Sequence, residues 1–517
     1  MGANYSKKQE FNKFSSSSLS LLAEDWTTNF KLPTKRITFC PVCFHQRTCK
    51  GYWCQNCESR RFKESFPTWT SGNREIDEFI QETQLNSTWW AGYLEWIPYN
   101  RFQNIKFIAR GGFGSIYYAI WVDGPRWEYI PNAEGLLGSM WKRKGSCKVA
   151  LKMLDNSKEL NNKFLNELRA HYKCISSGSV LTCYGITQDP VTNNYMMVID
   201  YAKQGDLTDF IRKNMKNSDW YRKVRELWYI ARGLKAIHDA DLVHKDFHSG
   251  NILFNTFTRR PAIGDLGLCC PAKDKDNLDQ NQVLGVLPYI APEVLRSNPY
   301  TKASDIYSFS MIMWEMSTLK KPFSDVAHDS ALALDIALGL RPTILPGTPK
   351  KYIETMKLCW DNDPKKRPNA DELVKKLEEL MNDREVNSSS IMYDINVHET
   401  PDHPEAYFTS RVLAFPHLKE FEFKEVDLQS QERLHIDDFR TSDFRTSDFR
   451  TCDLTELDSG NEFKDVDLQS QDQFNIDAFR VTNFEMIEND KYNTKQFQLS
   501  LEDLPLDDEV IPYAVGF

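Results

Sequence analysis

The sequence predicts an α+β fold in which a strand-rich part precedes a helix-rich part, with a cysteine-rich segment in front and an acidic tail behind. Two stretches, IARGGFGSIYYAI (108–120) and KVALKML (148–154), combine β-branched and aromatic residues around a glycine-rich turn, which is typical of strands. The stretch ELNNKFLNELRAHY (159–172) then places its apolar residues on one helical face. Further along, NADELVKKLEEL (369–380) has the capping box and apolar spacing of a final helix.

The first 36 residues are expected to form a flexible arm. Their start, MGANYSKK, fits the N-myristoylation pattern with Gly2 as the acceptor and Ser6 at the required position, and the alternative is an unmodified start. One myristoyl chain supports only weak, reversible membrane contact. The sequence has no apolar run of membrane-spanning length, and its cysteines do not form a disulfide pattern. We therefore expect a cytoplasmic protein, peripheral to the membrane if Gly2 is acylated.

The segment CPVCFHQRTCKGYWCQNC predicts a zinc ribbon over residues 37–66. Two Cys-x-x-Cys turns present four sulfurs, as tetrahedral zinc sites require, and four closed ligands indicate a structural rather than a catalytic metal. The predicted ligands are Cys40, Cys43, Cys54 and Cys57. Alternatives are reduced, metal-free cysteines or a substitution by His45 or Cys49. Because basic residues are few here, we do not expect nucleic acid as a partner.

Residues 67–100 are predicted to be a helical linker. Asn73 is a candidate cap for a helix whose inward positions are Ile76, Phe79, Ile80 and Thr83. The tryptophan-rich stretch WWAGYLEWIPY that follows is interpreted as packing. This linker leads into the main domain at residues 101–383.

Five residues far apart in the sequence have the types that phosphoryl transfer requires. Lys152 has apolar neighbours on both sides, and Glu167 lies within an apolar helical stripe, where a carboxylate needs a cationic partner. VHKDFHSGNILF supplies Asp246 and Asn251, and IGDLGL supplies Asp265. A carboxylate that accepts a hydroxyl proton, with an amide and a second carboxylate that hold Mg²⁺, matches transfer of a γ-phosphoryl group.

Taken in order, these motifs, followed by PYIAPEVL and SDIYSFSMIMWEM, resemble those of eukaryotic protein kinases. The later motifs are similar to the tyrosine-kinase-like group, and the Cys-x-x-Cys segment with WTSGN and LEWIPY resembles a large fungal kinase family. The resemblance implies a two-lobed protein kinase fold with a small β-rich lobe and a larger helical lobe. It also implies ATP-dependent phosphorylation of protein Ser or Thr, with Tyr left open.

The resemblance implies a role for each matching residue. Asp246 would be the catalytic base, Lys152 with Glu167 would orient the nucleotide phosphates, and Asn251 with Asp265 would bind magnesium. The nucleotide-binding residues would be Ile108, Ala109, Gly111, Gly114, Ile116, Ala150, Lys152, Ile199, Asp200 and Ala202. In that set Ile199 is the gatekeeper and 200–202 the adenine hinge. A buried ion pair is expected between Glu293 and Arg367.

Several positions depart from the family pattern. Lys245 keeps the charge of the usual Arg but loses its bidentate fork, and His248 replaces a Lys that contacts the γ-phosphate. Both stay in the predicted catalytic loop. Ala109 replaces the first glycine of the glycine-rich turn, and Val286 stands where Ser/Thr kinases usually have Thr. A long stretch between Gly114 and Lys152, with three tryptophans, is interpreted as a surface insertion.

The activation segment from Leu268 to Pro288 contains no Ser, Thr or Tyr. Asp274, Asp276 and Asp279 offer fixed negative charge instead. The hypothesis is that this segment is held without phosphorylation, through pairing with basic groups such as Lys245. The alternative is an unattached acidic loop.

The region 384–517 is predicted to be an acidic, repeat-containing, disordered tail. Residues 386–517 carry 18 more acidic than basic residues, whereas 1–385 carry nine more basic than acidic ones. A 19-residue unit recurs with an offset of 40, and a five-residue period lies between its copies. We favour an expanded linker over a β-helix. A second alternative is that the tail folds back over the basic body as a brake.

The leading interpretation is an active protein kinase in intracellular signalling. Its cofactors would be ATP, Mg²⁺ and structural Zn²⁺, and its partners ATP and protein substrates. The alternative is a pseudokinase scaffold that binds nucleotide and partners without turnover. The five intact chemical residues favour activity, and the oligomeric state stays open.

Overall fold

The computed structural model describes residues 39–40, 42–47, 53–111, 114–129, 141–154, 157, 162–216, 218–254, 259–271, 283–389, 401–413 and 415. Gly2, the tail repeats and the activation-segment aspartates lie outside these residues, so the expectations placed on them stay predictions. In the part of the chain that is described, no helix is long and apolar enough to cross a membrane.

Among the described residues before the main domain are the helices α1 (Gln55–Ser65) and α2 (Arg74–Asn86). The start of α2 agrees with the sequence, since the Asn73 side chain accepts hydrogen bonds from the first-turn amides of Glu75 and Ile76. Its inward face is apolar as predicted, with Ile76 and Ile80 fully buried. The helix is fixed to the sheet behind it because the Tyr195 hydroxyl donates to the carbonyl of Ser71.

The small lobe is a six-stranded sheet. Its strands are β1 (Glu95–Trp96), β2 (Phe102–Gly111), β3 (Gly114–Trp121), β6 (Cys147–Leu154), β7 (Cys183–Gln188) and β8 (Tyr195–Asp200). Their order in the sheet is β1-β7-β8-β6-β3-β2, antiparallel except where β1 pairs with β7. A short hairpin, β4 (Glu128–Tyr129) and β5 (Trp141–Lys142), lies between β3 and β6. Helix α3 (Asn162–Cys174) buries Phe164, Leu165 and Leu168 in the same apolar cluster as Ala150 of β6 and Ile199 of β8.

The hairpin region differs from the surface insertion that the sequence suggested. Trp127 and Trp141 are buried and pack against Trp90, with ring centroids 5.0 and 6.1 Å apart. Trp53, from the cysteine segment, contacts Trp141 at 5.9 Å. Burying indole area is strongly favourable. The described part of the insertion therefore joins the cysteine segment to the sheet of the small lobe.

The large lobe is mainly helical and surrounds α7 (Lys302–Thr318), in which every residue from Ser304 to Thr318 is buried. Its helices are α4 (Leu207–Asn214), α5 (Trp220–Asp239), α6 (Pro292–Leu295), α7 (Lys302–Thr318), α8 (Ser330–Leu338), α9 (Lys350–Cys359), α10 (Ala370–Met381) and α11 (Arg384–Ser388). The predicted capping box opens α10, with Asn369 and Glu372 bonded to each other's backbone amides. Short strand pairs carry the loops that face the small lobe.

Those strand pairs position the functional loops. They are β9 (Leu242–Val243) with β12 (Cys270–Pro271), β10 (Ile252–Phe254) with β11 (Pro261–Ile263), and β13 (Val283–Gly285) with β14 (Arg411–Leu413). The last pair was not anticipated, because β14 belongs to the region that the sequence analysis assigned to a disordered tail. The apolar residues in YFTSRVLAF explain the difference, since Leu413 is buried in the large-lobe core.

Candidate active site

Lys152 is at the centre of the site, on β6 beneath the glycine-rich hairpin. Its Nζ atom lies 2.6 Å from Glu167 Oε1 on α3 and 2.7 Å from Asp265 Oδ1 in the loop after β11. Burial alone would lower the pKa of Lys152, but attraction to Glu167 and Asp265 raises it above its usual value, so the side chain is an ammonium ion. The predicted pair of Lys152 and Glu167 is thus formed, and it includes Asp265.

Asp246 lies in the loop between β9 and β10, with its side chain almost fully buried. Asn251 Nδ2 donates to the backbone oxygen of Asp246 at 2.9 Å and to its Oδ2 atom at 3.1 Å. The loop closes with a 3-10 turn over Ser249–Asn251, in which the Gly250 amide donates to His248 Nδ1. Asp246 and Asn251 are therefore held together as the sequence predicted.

Asp305 of α7 anchors this loop, and the sequence analysis did not assign it a role. Its carboxylate accepts hydrogen bonds from the backbone amides of His244 at 2.9 Å and Lys245 at 3.0 Å, and it contacts His238 Nε2 at 2.9 Å. Lys245 has φ of +70°, a left-handed conformation that disfavours a non-glycine residue. The two hydrogen bonds from these backbone amides to Asp305 compensate for that strain. The signal for Asp305 was present in the quoted motif SDIYSFSMIMWEM.

The charge state of Asp246 follows from its neighbours. Burial would raise the pKa of Asp246, but the nearby His248 and the hydrogen bond from Ser410 lower it to about 2. His248 Nε2 lies 3.6 Å from Asp246 Oδ1. Asp246 is therefore a carboxylate at neutral pH and can accept a proton.

The predicted nucleotide residues lie on adjacent strands of one sheet. Ala109 pairs with Ile116 and Gly111 with Gly114 at the hairpin, while Ile116 pairs with Lys152. On the other side of β6, Ala150 pairs with Ile199 and Val149 with Asp200. Ile116, Ala150 and Ile199 belong to one apolar cluster, Ile108 is exposed, and Ala202 is the second residue after β8. This register places Ile116, Ala150 and Ile199 on neighbouring strands beside Lys152, and the nucleotide-binding role of the ten residues stays a prediction.

Asn251 and Asp265 have the donor types that magnesium prefers. The backbone amide of Gly264 donates to the backbone oxygen of Asn251 at 2.8 Å, which places Asn251 beside the residue preceding Asp265. The Asn251 amide nitrogen faces Asp246, so its side-chain oxygen remains for a ligand. The side chain of Asp265 is 36% exposed. An amide oxygen and a partly exposed carboxylate at the same edge fit a hard cation such as Mg²⁺.

Buried polar contacts stabilise the part of the large lobe that lies next to the site. Glu293 and Arg367 form the expected ion pair through two hydrogen bonds of 2.8 and 2.7 Å. Tyr289, the hydroxyl nearest to the activation segment, is buried and donates to Glu315. In this conformation its hydroxyl is not available for phosphorylation. Burial raises the pKa of Glu315 to about 7, against the opposing hydrogen bond from Tyr289.

The four predicted cysteine ligands converge. Their sulfur atoms all lie within 4.8 Å of one another, with Cys40 and Cys57 3.7 Å apart and Cys43 and Cys54 3.4 Å apart. Thiolates bound about 2.3 Å from a tetrahedral zinc would be separated by about 3.8 Å. The geometry therefore fits one zinc ion. His45 is exposed, and its Nδ1 contacts the Cys43 carbonyl rather than the sulfur cluster.

A hydroxyl from outside the predicted site also reaches Asp246. Ser410 Oγ donates to Asp246 Oδ2 at 2.6 Å and lies 3.1 Å from His248 Nε2. No motif pointed to Ser410, which is 164 residues from Asp246 in the sequence. The available signal was the apolar run YFTSRVLAF within an otherwise acidic region.

Comparison with known proteins agrees with this geometry. Residues 102–377 match the family model described as protein tyrosine and serine/threonine kinase. A probable serine/threonine-protein kinase of Dictyostelium discoideum is 28% identical over 275 residues, which cover 50% of this chain and 18% of the relative. Another from that organism, drkC, is 29% identical over 243 residues, which cover 45% of this chain and 31% of drkC.

A viral protein shows a similar degree of identity. A putative serine/threonine-protein kinase/receptor of Acanthamoeba polyphaga mimivirus is 26% identical over 289 residues, which cover 55% of this chain and 16% of the relative. The aligned regions thus span less than a third of the length of each of these relatives. Because the family model matches more than half of the chain and the site residues converge as that family requires, the chain belongs to the protein tyrosine and serine/threonine kinase family.

Proposed function

We propose that this chain is an ATP- and Mg²⁺-dependent protein kinase that phosphorylates serine and threonine in protein substrates during intracellular signalling. The observation that carries the proposal is the pair of contacts, 2.6 and 2.7 Å, from Lys152 Nζ to Glu167 and Asp265. Kinase activity requires that the lysine–glutamate pair and the magnesium-binding aspartate be in place together. Here the ammonium group of Lys152 contacts both Glu167 and Asp265.

Each residue contributes one physical effect. Mg²⁺ bound with ATP would neutralise developing phosphate charge, and Asn251 with Asp265 would hold it. Lys152 would fix the nucleotide phosphates, and Glu167 keeps its ammonium group oriented. Asp246, ionised and held by Asn251, would accept the proton of the substrate hydroxyl.

Two observations support Ser/Thr rather than Tyr as the acceptor. The hydroxyl that contacts Asp246 belongs to a serine, whose oxygen is one carbon away from the backbone. A tyrosine hydroxyl lies several ångströms further out, so its backbone would have to withdraw from the cleft. The relatives described above are named serine/threonine-protein kinases.

We also propose that the cysteine cluster holds a structural zinc ion. Four thiolates leave no open coordination position, so this metal would stabilise the segment rather than take part in transfer. The buried contact of Trp53 with Trp141 would extend that stabilisation to the small lobe.

The function is tested with the purified full chain, labelled ATP and three peptides that differ only in a central Ser, Thr or Tyr. We expect transfer to the Ser and Thr peptides, and its loss when EDTA removes magnesium. Labelling of the Tyr peptide alone would contradict the acceptor assignment. No labelling of any peptide, with nucleotide binding intact, would favour a scaffold.

A further inference from the structure

Strand β14 occupies the edge of the activation segment beside the catalytic carboxylate. It pairs antiparallel with β13, so that Gly285 is opposite Arg411 and Val283 is opposite Leu413. A Cβ atom on Gly285 would lie 3.4 Å from Asp246 Oδ1, which places β13 directly next to Asp246. A chain that adds a strand here is therefore guided past the catalytic base.

The residue immediately before β14 is Ser410, and its hydroxyl is oriented by two partners. The Gly250 amide can only donate, so its 3.1 Å contact makes His248 Nδ1 an acceptor and places the ring proton on Nε2. Nε2 then donates to Ser410 Oγ at 3.1 Å, and the Ser410 hydroxyl donates its own proton to Asp246 Oδ2 at 2.6 Å. This is the arrangement that a phosphoacceptor requires, with its proton facing the base.

Contacts before the serine hold the segment on the large lobe. The Phe408 ring lies 4.8 Å from the ring of His328 and 4.5 Å from Lys321 Nζ. The backbone amide of Tyr407 donates to His328 Nδ1 at 3.2 Å, and Arg411 donates to the His328 carbonyl at 3.1 Å.

After the serine, one side chain of the strand is buried and its neighbour is exposed. Leu413, three residues beyond Ser410, is 5% exposed, whereas Val412 is 51% exposed. The segment thus uses an apolar anchor on each side of the serine, Phe408 and Leu413. This alternation is expected for a strand that adds to a sheet edge.

We propose that Ser410 is an intramolecular phosphorylation site of this kinase, and that residues 401–413 occupy its protein-substrate groove until Ser410 is modified. The proposal rests on the proposed function and extends it. It also assigns the substrate class: a serine followed, at the third position, by an apolar residue.

The reaction is ordinary phosphoryl transfer. Ser410 Oγ forms a bond to the γ-phosphorus of ATP, the bond from that phosphorus to the β–γ bridging oxygen breaks, and its electron pair leaves with ADP. The hydroxyl proton passes to Asp246 Oδ2 and from there to water, which returns Asp246 to its ionised form. The product places a phosphate of about −1.5 to −2 charge beside the ionised Asp246, and like-charge repulsion then favours release of the segment. Release opens the groove to other substrates.

The first experiment uses full-length protein treated with phosphatase, then incubated with Mg²⁺-ATP and a Ser-x-x-Leu peptide. We expect phosphate at Ser410 by mass spectrometry, with a rate constant that does not change over a tenfold range of enzyme concentration. Peptide phosphorylation should show a lag that ends as Ser410 is modified. Ser410→Ala should remain slow, and Thr409→Ala, its neighbouring control, should behave as wild type.

The outcomes separate the two proposals. If the peptide is phosphorylated but Ser410 is not, this inference fails and the kinase assignment stands. A rate constant proportional to enzyme concentration would overturn the intramolecular assignment. If neither acceptor is modified, the proposed function itself fails.

A second pair of variants tests the groove without altering the catalytic residues. Leu413→Asp should eject the segment, because a buried apolar contact is replaced by a charge. We expect at least a tenfold slower modification of Ser410, no lag, and a lower KM for the peptide. Val412→Asp changes the adjacent exposed residue and should match wild type. Equal behaviour of the two variants, with a lag in both, would contradict the occupied groove.

Discussion

Nζ of Lys152 lies 2.6 Å from Oε1 of Glu167, and this buried pair fixes helix α3 against the sheet of the small lobe. The same nitrogen contacts Asp265 of the large lobe at 2.7 Å. One ammonium group therefore links the elements that would hold the nucleotide and the metal. The account of activity depends on this connection.

The first prediction concerns that ion pair. Lys152→Met should lower kcat at least about a hundredfold, since a positioned cation facing transferred phosphate contributes effects of that size. Glu167→Gln should cause a smaller loss, because it leaves Lys152 with Asp265 as a partner. Peptide kinetics with purified variants measure both. Arg169→Gln, on the outer face of α3, removes an exposed ion pair with Glu75 and a surface contact with the Phe79 ring, and should stay near wild type.

A second prediction concerns Asp305. In the wild type the carboxylate of Asp305 accepts from two backbone amides, whereas the amide group of Asp305→Asn has only one oxygen that can accept. We therefore expect a loss of about 2–3 kcal/mol in the free energy of unfolding. The loop carrying Asp246 should relax, and kcat should fall more than nucleotide affinity. Urea unfolding and nucleotide titration measure the two effects. The control is Asp239→Asn on the exposed side of α5, and a similar loss there would argue against the anchoring role.

Metal removal gives a third prediction. Elemental analysis should find one zinc per chain, and Cys57→Ser should lose it, because structural zinc contributes on the order of 10 kcal/mol to folding of such segments. Loss of the metal should lower the melting temperature and shift tryptophan fluorescence through Trp53. Cys270→Ser should retain the metal. Zinc content unchanged in Cys57→Ser would contradict the four-thiolate site.

The fourth prediction is a pH dependence that arises from Glu315. A carboxyl with a raised pKa binds more protons in the folded state, so it contributes stability at low pH. That contribution is lost as pH rises from the unfolded value of about 4.3 to the folded value of about 7. Glu315→Gln cannot titrate. Relative to wild type, its unfolding free energy should therefore increase by about 2 kcal/mol between pH 5 and pH 8. Parallel pH profiles would show that Glu315 titrates normally.

Sequence motifs predicted the chemical residues because phosphoryl transfer restricts their types and order. Lys152 and Asp265 are 113 residues apart, yet each lies in a recognisable local pattern. The helix after Asn73 and the Cys-x-x-Cys pairs were likewise local signals. The sequence therefore identified the residues of these sites, but it could not give the distances between their side chains.

Other features depend on pairing between distant segments and have no local pattern. Arg411 is opposite Gly285 only because the apolar run YFTSRVLAF, far along the sequence, pairs with the edge of β13. The acidic composition around that run pointed to disorder and concealed it. In the same way, the sequence suggested that Trp127 and Trp141 lie in a surface insertion. In the structure both are buried, where Trp90 packs against Trp127 and Trp53 packs against Trp141.

The most direct test of the central claim is phosphoryl transfer by Asp246→Asn beside wild type, with nucleotide affinity measured in both. The substituted amide would keep the shape of the loop but could not accept the substrate proton, so kcat should fall about 10²- to 10⁴-fold while ATP affinity stays unchanged. Equal turnover by the two proteins would contradict the assignment of Asp246, and with it the account of this site.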